Sequence, residues 1–166
     1  MIKYQLFLVL FISCYVSSAQ SIMVGLGGTY GTSVDQLGVN ARVYYGLNEQ
    51  LCFGPEISYF PQVSHKGESI RLNEYGFVVH YIFEVEEKLG LYPLIGINYS
   101  VENTEEHGVY EVQNAIGATF GGGLHLEMKN ILPFVEYKYI TGGLSQSTFS
   151  VGIIYNFSLK QKQQEE

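Results

Sequence analysis

The sequence has no tryptophan, two cysteines and four prolines, and only 15% of its 166 residues are charged. Soluble domains carry about a quarter charged residues, so the surface of this chain is not that of an ordinary soluble protein. Cys14 lies in the N-terminal apolar segment and Cys52 stands alone in the rest of the chain. That excludes a disulfide-stapled scaffold and a zinc site built on a cysteine cluster. Nine basic residues face sixteen acidic ones, a net charge of −7, which argues against a nucleic-acid partner. Outside the N-terminus no apolar run approaches the ~18 residues of a membrane-spanning helix. What is abundant is small or aromatic: 19 Gly, 14 Tyr and 10 Phe, within 46% hydrophobic residues. Such a chain is not disordered, and its length allows one domain.

Met1–Ala19 reads as a secretory signal peptide: Lys3 in the n-region, an apolar stretch from Leu6 to Ile12, and small residues at Ser17 and Ala19 before the cut. A rival reading makes Cys14 a lipidated residue, with Phe11 as an unusual first lipobox position. Cleavage after Ala19 removes Lys3, leaving eight basic against sixteen acidic residues, net −8, over 147 residues.

The remainder alternates with period two rather than 3.6. Eight segments emerge: Gln20 to Tyr30, Gln36 to Gly46, Leu51 to Phe60, Arg71 to Phe83, Leu89 to Val101, Val112 to Glu127, Ile131 to Ile140 and Ser147 to Leu159. In each, one face is large and apolar. The second segment sets Leu37, Val39, Ala41, Val43 and Tyr45 against Gly38, Asn40, Arg42 and Tyr44. The fifth sets Leu91, Ile95, Ile97 and Tyr99 against Gly90, Tyr92, Gly96, Asn98 and Ser100. Short turns near 47–50, 84–88 and 129–130 alternate with longer polar loops at 61–70, 102–111 and 141–146. An even strand count with turns at one end and loops at the other is the arrangement of an all-β, eight-stranded antiparallel up-and-down transmembrane β-barrel.

The two faces decide between a soluble and a membrane barrel. An eight-stranded interior is only just wide enough for side chains, too narrow for this many Phe and Tyr. Gly, Ser, Thr and Asn suit that interior, whereas on a soluble exterior they weaken strands. Tyr30, Tyr45, Tyr59, Tyr75, Tyr81, Tyr99, Tyr139 and Tyr155 fall near strand ends, as an aromatic girdle at two membrane interfaces requires. Pro55 and Pro93 fit least well, because each removes a ladder donor in a sheet without edges.

The inward face carries Arg42, Glu56, Glu74, His80, Glu136 and Lys138. Charges in a narrow lumen must be paired or reach water, so these are expected to form a polar network, with Arg42 and Glu56 placed to meet across the 47–50 turn. The competing reading is a narrow or gated pore. His125 and Glu127 share a face, but a hydrolase needs a nucleophile within reach of its base, and the neighbours two away from His125 include no serine. The acidic loop with Glu102, Glu105, Glu106 and Glu111 matches no calcium-loop spacing. No catalytic residue, metal or cofactor is expected.

A signal peptide followed by eight alternating strands resembles the small outer-membrane β-barrel family of Gram-negative bacteria, of the OmpA/OmpX-like type. The resemblance is one of pattern over residues 20–159. Such barrels often end on an aromatic residue; here Phe157 closes the pattern and a short polar tail, residues 160–166, follows on the periplasmic side. The resemblance implies a monomer in the cell outer membrane, bathed by its lipid. It also implies a non-catalytic role in envelope structure or in surface contact with a ligand or protein through loops 61–70 and 102–111. The alternatives are a membrane-barrel enzyme acting on lipid and a soluble lipocalin-like barrel around an apolar ligand.

Overall fold

The computed structural model describes residues 21–65, 68–106 and 108–158. The expected signal peptide at 1–19 and tail at 160–166 lie outside the described residues. Among the described residues there are nine strands: β1 (Ser21–Gly31), β2 (Gln36–Gly46), β3 (Leu51–His65), β4 (Glu68–Tyr81), β5 (Phe83–Glu86), β6 (Leu89–Glu106), β7 (Val109–Leu126), β8 (Ile131–Ile140) and β9 (Gln146–Ser158). They run antiparallel in the order β4-β3-β2-β1-β9-β8-β7-β6-β5, and an additional β4–β6 pairing closes the sheet on itself. β4 and β5 form one stave interrupted at Ile82, so the barrel has eight staves.

The period-two pattern sets which side of the wall each residue takes. Along β8 the even positions Leu132, Phe134, Glu136, Lys138 and Ile140 are buried, and Val135, Tyr137 and Tyr139 are exposed. The same holds around the ring: Leu26, Leu37, Val39, Ile95, Ile97, Val151 and Ile153 all face outward. A chain whose outer wall is Leu, Ile, Val, Phe and Tyr, with arginine and glutamate inside, inverts the soluble arrangement.

All four prolines sit where a ladder is interrupted. The β2–β3 register runs from Val39↔Tyr59 to Arg42↔Glu56 and resumes unshifted at Tyr45↔Phe53, a gap that spans Pro55. The β4–β6 register ends at His80↔Leu94 and β5–β6 begins at Phe83↔Leu91, so Pro93 lies opposite the break at Ile82. Pro61 occupies the register shift between Phe60 and Val63, and the β7–β8 ladder stops at His125↔Phe134, one residue short of Pro133. A missing N–H costs a ladder bond toward one neighbour only. At three of the four the other side stays paired, as in Pro55↔Phe77, Pro93↔Gly122 and Pro133↔Ile153.

The loops expected at 61–70 and 102–111 are instead largely paired strand. β3 and β4 continue through Ser64↔Ser69 and His65↔Glu68, and β6 and β7 stay in register to Glu106↔Val109. β4 also pairs with β6 out to Glu68↔Glu106. Backbone ladders are indifferent to side-chain polarity, so the antiparallel pairs extend beyond the apolar band. β6 and β7 reach 18 residues each, against the about 9–11 that cross a membrane. The result is a four-stranded sheet standing above one side of the barrel, while the β1–β2 and β8–β9 connections remain short.

Gly54 marks a close approach of strands beside the Pro55 gap. A Cβ there would lie 2.0 Å from the carbonyl oxygen of Val43 and 2.9 Å from the Cα of Tyr44. Gly54→Ala is therefore expected to force β2 and β3 apart and to destabilise the barrel by about 1–3 kcal/mol, measured by urea unfolding in lipid vesicles.

Candidate luminal site

The charged side chains named from the sequence come from four separate staves. Arg42 projects from β2, Glu56 from β3, Glu74 and His80 from β4, and Glu136 and Lys138 from β8. All six are at most 6% exposed. Room for them is made by glycine. Across the ladders Arg42 is paired with Gly25, Glu56 with Gly76, Glu136 with Gly123 and Lys138 with Gly121. A Cβ on Gly25 would lie 2.8 Å from Cγ of Arg42, and one on Gly76 would lie 2.9 Å from Cγ of Glu56. Arg42, Glu56, Glu136 and Lys138 are thus each matched by an empty position on the inner wall, which is how a narrow barrel holds such chains at interior packing density, while the shorter-reaching Glu74 lies between Ser58 and Ser100.

The ion pairs cross the lumen. Arg42 and Glu56 are register partners, but their charged ends part company. Arg42 Nη1 lies 3.1 Å from Glu136 Oε2, and Arg42 Nε donates to Asn40 Oδ1 at 2.7 Å. Glu56 instead pairs with Lys138, whose Nζ is also 3.7 Å from Glu136 Oε1. Two hydroxyls complete the carboxylates: Tyr44 donates to Glu56 and Tyr92 to Glu136, both at 3.1 Å. The guanidinium carbon sits 4.2 Å from the centre of the Phe134 ring. Tyr44 and Tyr92 were on the inward face of the sequence pattern but were not named as members. Their signal was a phenol among glycines, which needs a hydrogen-bond partner once buried.

Glu74 and His80 stand apart from that centre. Glu74 accepts from Gln146 Nε2 at 2.5 Å, and Gln146 in turn receives the Ser33 hydroxyl at 2.9 Å. His80 Nδ1 is 3.5 Å from the Cys52 sulfur, and its ring packs edge-on against Tyr44 at 4.6 Å. Two apolar layers bracket the charges. Met23, Cys52, Val78, Leu94, Leu132, Phe134 and Ile154 pack toward the turn end, while Val34, Phe60 and Leu72 pack at the loop end.

The eight tyrosines occupy two levels outside. Tyr45, Tyr81 and Tyr155 lie at the turn end, beside Ile22, Leu51 and Ile131 respectively. Tyr30, Tyr59, Tyr75, Tyr99 and Tyr139 lie toward the loops, with Tyr75 and Tyr99 stacked 6.4 Å apart. His125 stacks on Tyr92 at 5.8 Å and makes no hydrogen bond to a hydroxyl or carboxylate among the described residues. Among those residues no group of three or more His, Cys, Asp and Glu is placed to hold a metal ion.

Glu136 is the hub, since it meets Arg42, Lys138 and Tyr92 at once. Removing one partner from a buried ion network strands the others, which costs about 3–5 kcal/mol. Glu136→Gln is expected to lose stability on that scale, whereas Glu74→Gln, facing a neutral amide, loses much less; urea unfolding of the two variants in one lipid measures the contrast.

Comparison with known proteins gives the fold a context. No protein-family model and no curated protein matches the sequence. Solved structures do. The attachment invasion locus protein Ail of Yersinia pestis, elsewhere described as an outer membrane protein, is 18% identical with a TM-score of 0.63, over 82% of this chain and 97% of that one. Ail has also been solved in complex with the heparin analogue sucrose octasulfate. The N-terminal β-barrel domain of Pseudomonas aeruginosa OprF gives 15% identity and a TM-score of 0.71, over 84% and 98% of the two chains. Neisserial surface protein A gives 13% and 0.61, over 84% and 96%. Strand order, closure and these likenesses agree on one architecture: the chain is an all-β, eight-stranded antiparallel up-and-down transmembrane β-barrel, built like the small outer-membrane barrels.

Proposed function

We propose that this chain is an integral outer-membrane barrel with a filled lumen, serving a non-catalytic role in envelope structure or in surface contact. The observation that carries it is the inversion of the wall. Outward positions on every stave are large and apolar, while Arg42, Glu56, Glu136 and Lys138 are buried inside and bonded to one another. In water that arrangement exposes far more apolar surface than a soluble monomer tolerates; in hydrocarbon it is the stable one. The two levels of tyrosine support aromatic girdles at the two interfaces.

The bonded network and the Phe60–Leu72–Val34 layer support a plugged interior over a pore. Ion pairs bonded across the lumen between two apolar layers fill space that an open channel needs. Closure supports a monomer, because it removes the free edges through which sheets pair in the membrane.

Contact at the cell surface falls to the sheet formed by β3, β4, β6 and β7. Between Val109 and Ile116, β7 has no strand on its β8 side, and Val109, Tyr110, Val112 and Ile116 are strongly exposed. The heparin-analogue complex of Ail does not transfer easily to this chain. Glu102, Glu105, Glu106 and Glu111 make the β6–β7 end of this sheet acidic, which favours a neutral or cationic partner over a polyanion.

Two measurements test the reading. The protein is expected to stay in the outer-membrane fraction after salt washing and to run faster on a gel unboiled than boiled; release by salt with no heat shift overturns it. In planar bilayers its conductance is expected to be absent or small, and a large steady open channel overturns the plug.

A further inference from the structure

The two ends of the barrel differ. At the turn end a cavity of about 620 Å³ enters the lumen, within the about 300–1,000 Å³ of small-ligand pockets. Its floor is apolar, formed by Met23, Cys52 and Leu132. Its rim is acidic: Glu49, Glu84, Glu86, Glu87 and Glu127 surround it against a single lysine, Lys88. Among the described residues none of these five carboxylates makes an ion pair.

A second observation points inward from the wall. His125 is 9% exposed and lines the cavity, and its imidazole makes no hydrogen bond among the described residues. The side-chain oxygen of Asn156, also in the lining, is buried without a partner. Buried polar atoms in native proteins are satisfied, so unmatched ones facing a cavity mark where another molecule's donors or acceptors fit.

We propose that this mouth binds a short basic peptide segment, an apolar side chain flanked by two cations. The apolar side chain enters the floor between Met23, Cys52 and Leu132. The cations reach carboxylates on two neighbouring turns of the rim, Glu49 after β2 and Glu84, Glu86 and Glu87 on and after β5, which meet where Ile82 N donates to the Gln50 carbonyl at 2.6 Å. The peptide's backbone N–H and C=O groups meet Asn156 and His125. A carboxylate ligand is repelled by the rim, and a purely polar cation leaves the floor empty. With the barrel in the outer membrane, this end faces the periplasm; that assignment rests on the reading above, but the binding itself does not.

The test uses the mature chain refolded into nanodiscs of neutral phosphatidylcholine, titrated with acetyl-Lys-Leu-Lys-amide and followed by NMR at the Met23 methyl and the 84–88 amides. The gel heat shift of the same sample reports separately whether the membrane barrel has formed. Saturable shifts at both floor and rim are expected, with acetyl-Lys-Ser-Lys-amide at least fivefold weaker and acetyl-Glu-Leu-Glu-amide inert. The combined Glu84→Gln, Glu86→Gln and Glu87→Gln variant is expected to weaken binding at least tenfold. Replacing Glu102, Glu105, Glu106 and Glu111 by glutamine is expected to leave it unchanged. Shifts confined to the rim, equal loss in the loop-end variant, or no binding by a heat-shifting barrel overturns the proposal.

Discussion

Closure of the backbone ladder is the constraint on which everything else in this molecule depends. In hydrocarbon each unpaired peptide group costs several kcal/mol, because no water is there to replace a lost partner. The β4–β6 pairing turns a sheet into a ring and leaves no edge through the membrane-crossing band. The four prolines show how tight that constraint is. Each lacks one donor, each lies at a gap, shift or end of a ladder, and Pro55, Pro93 and Pro133 keep full pairing on the opposite neighbour. The split of one stave into β4 and β5 is the visible consequence of Pro93.

Closure at eight staves then fixes the interior volume, and volume dictates the inner sequence. A long charged side chain fits most readily where one ladder partner has no side chain. That rule explains why glycine faces Arg42, Glu56, Glu136 and Lys138, and why Gly90 faces His125, where a Cβ would come within 2.5 Å of the imidazole. Many of the glycines therefore do not mark turns. They are the complement of the buried charges, and the charges in turn pair across the lumen, Arg42 with Glu136 and Lys138 with Glu56 and Glu136, between the apolar layers above and below.

Strand parity was legible because it is a local property: Leu37 and Val39 point one way and Asn40 and Arg42 the other whatever their partners. Partner choice was not. β2 and β8 are separated by β1 and β9 around the ring, so nothing near Arg42 in sequence announces Glu136. Adjacency suggested Glu56, and the side chains reach past it across the lumen. The hairpin extensions were illegible for a different reason. Glu102–Glu106 reads as loop because its side chains are polar, yet its backbone pairs with β4 and β7 without regard to them. Phe60, wholly buried at the loop end, closed its segment and was read as the last residue of a strand rather than as a lid.

The two apolar layers are not equivalent, and the difference bears on what the barrel does. At the loop end Phe60, Leu72 and Val34 meet over the charges, with Ile70 and Leu144 packed against them. At the turn end Met23, Cys52 and Leu132 form a floor rather than a lid, and carboxylates ring the opening above it. The ion-paired middle thus lies between an apolar layer at the loop end and an open acidic mouth at the turn end, the side where both described chain ends, Ser21 and Ser158, pair with each other.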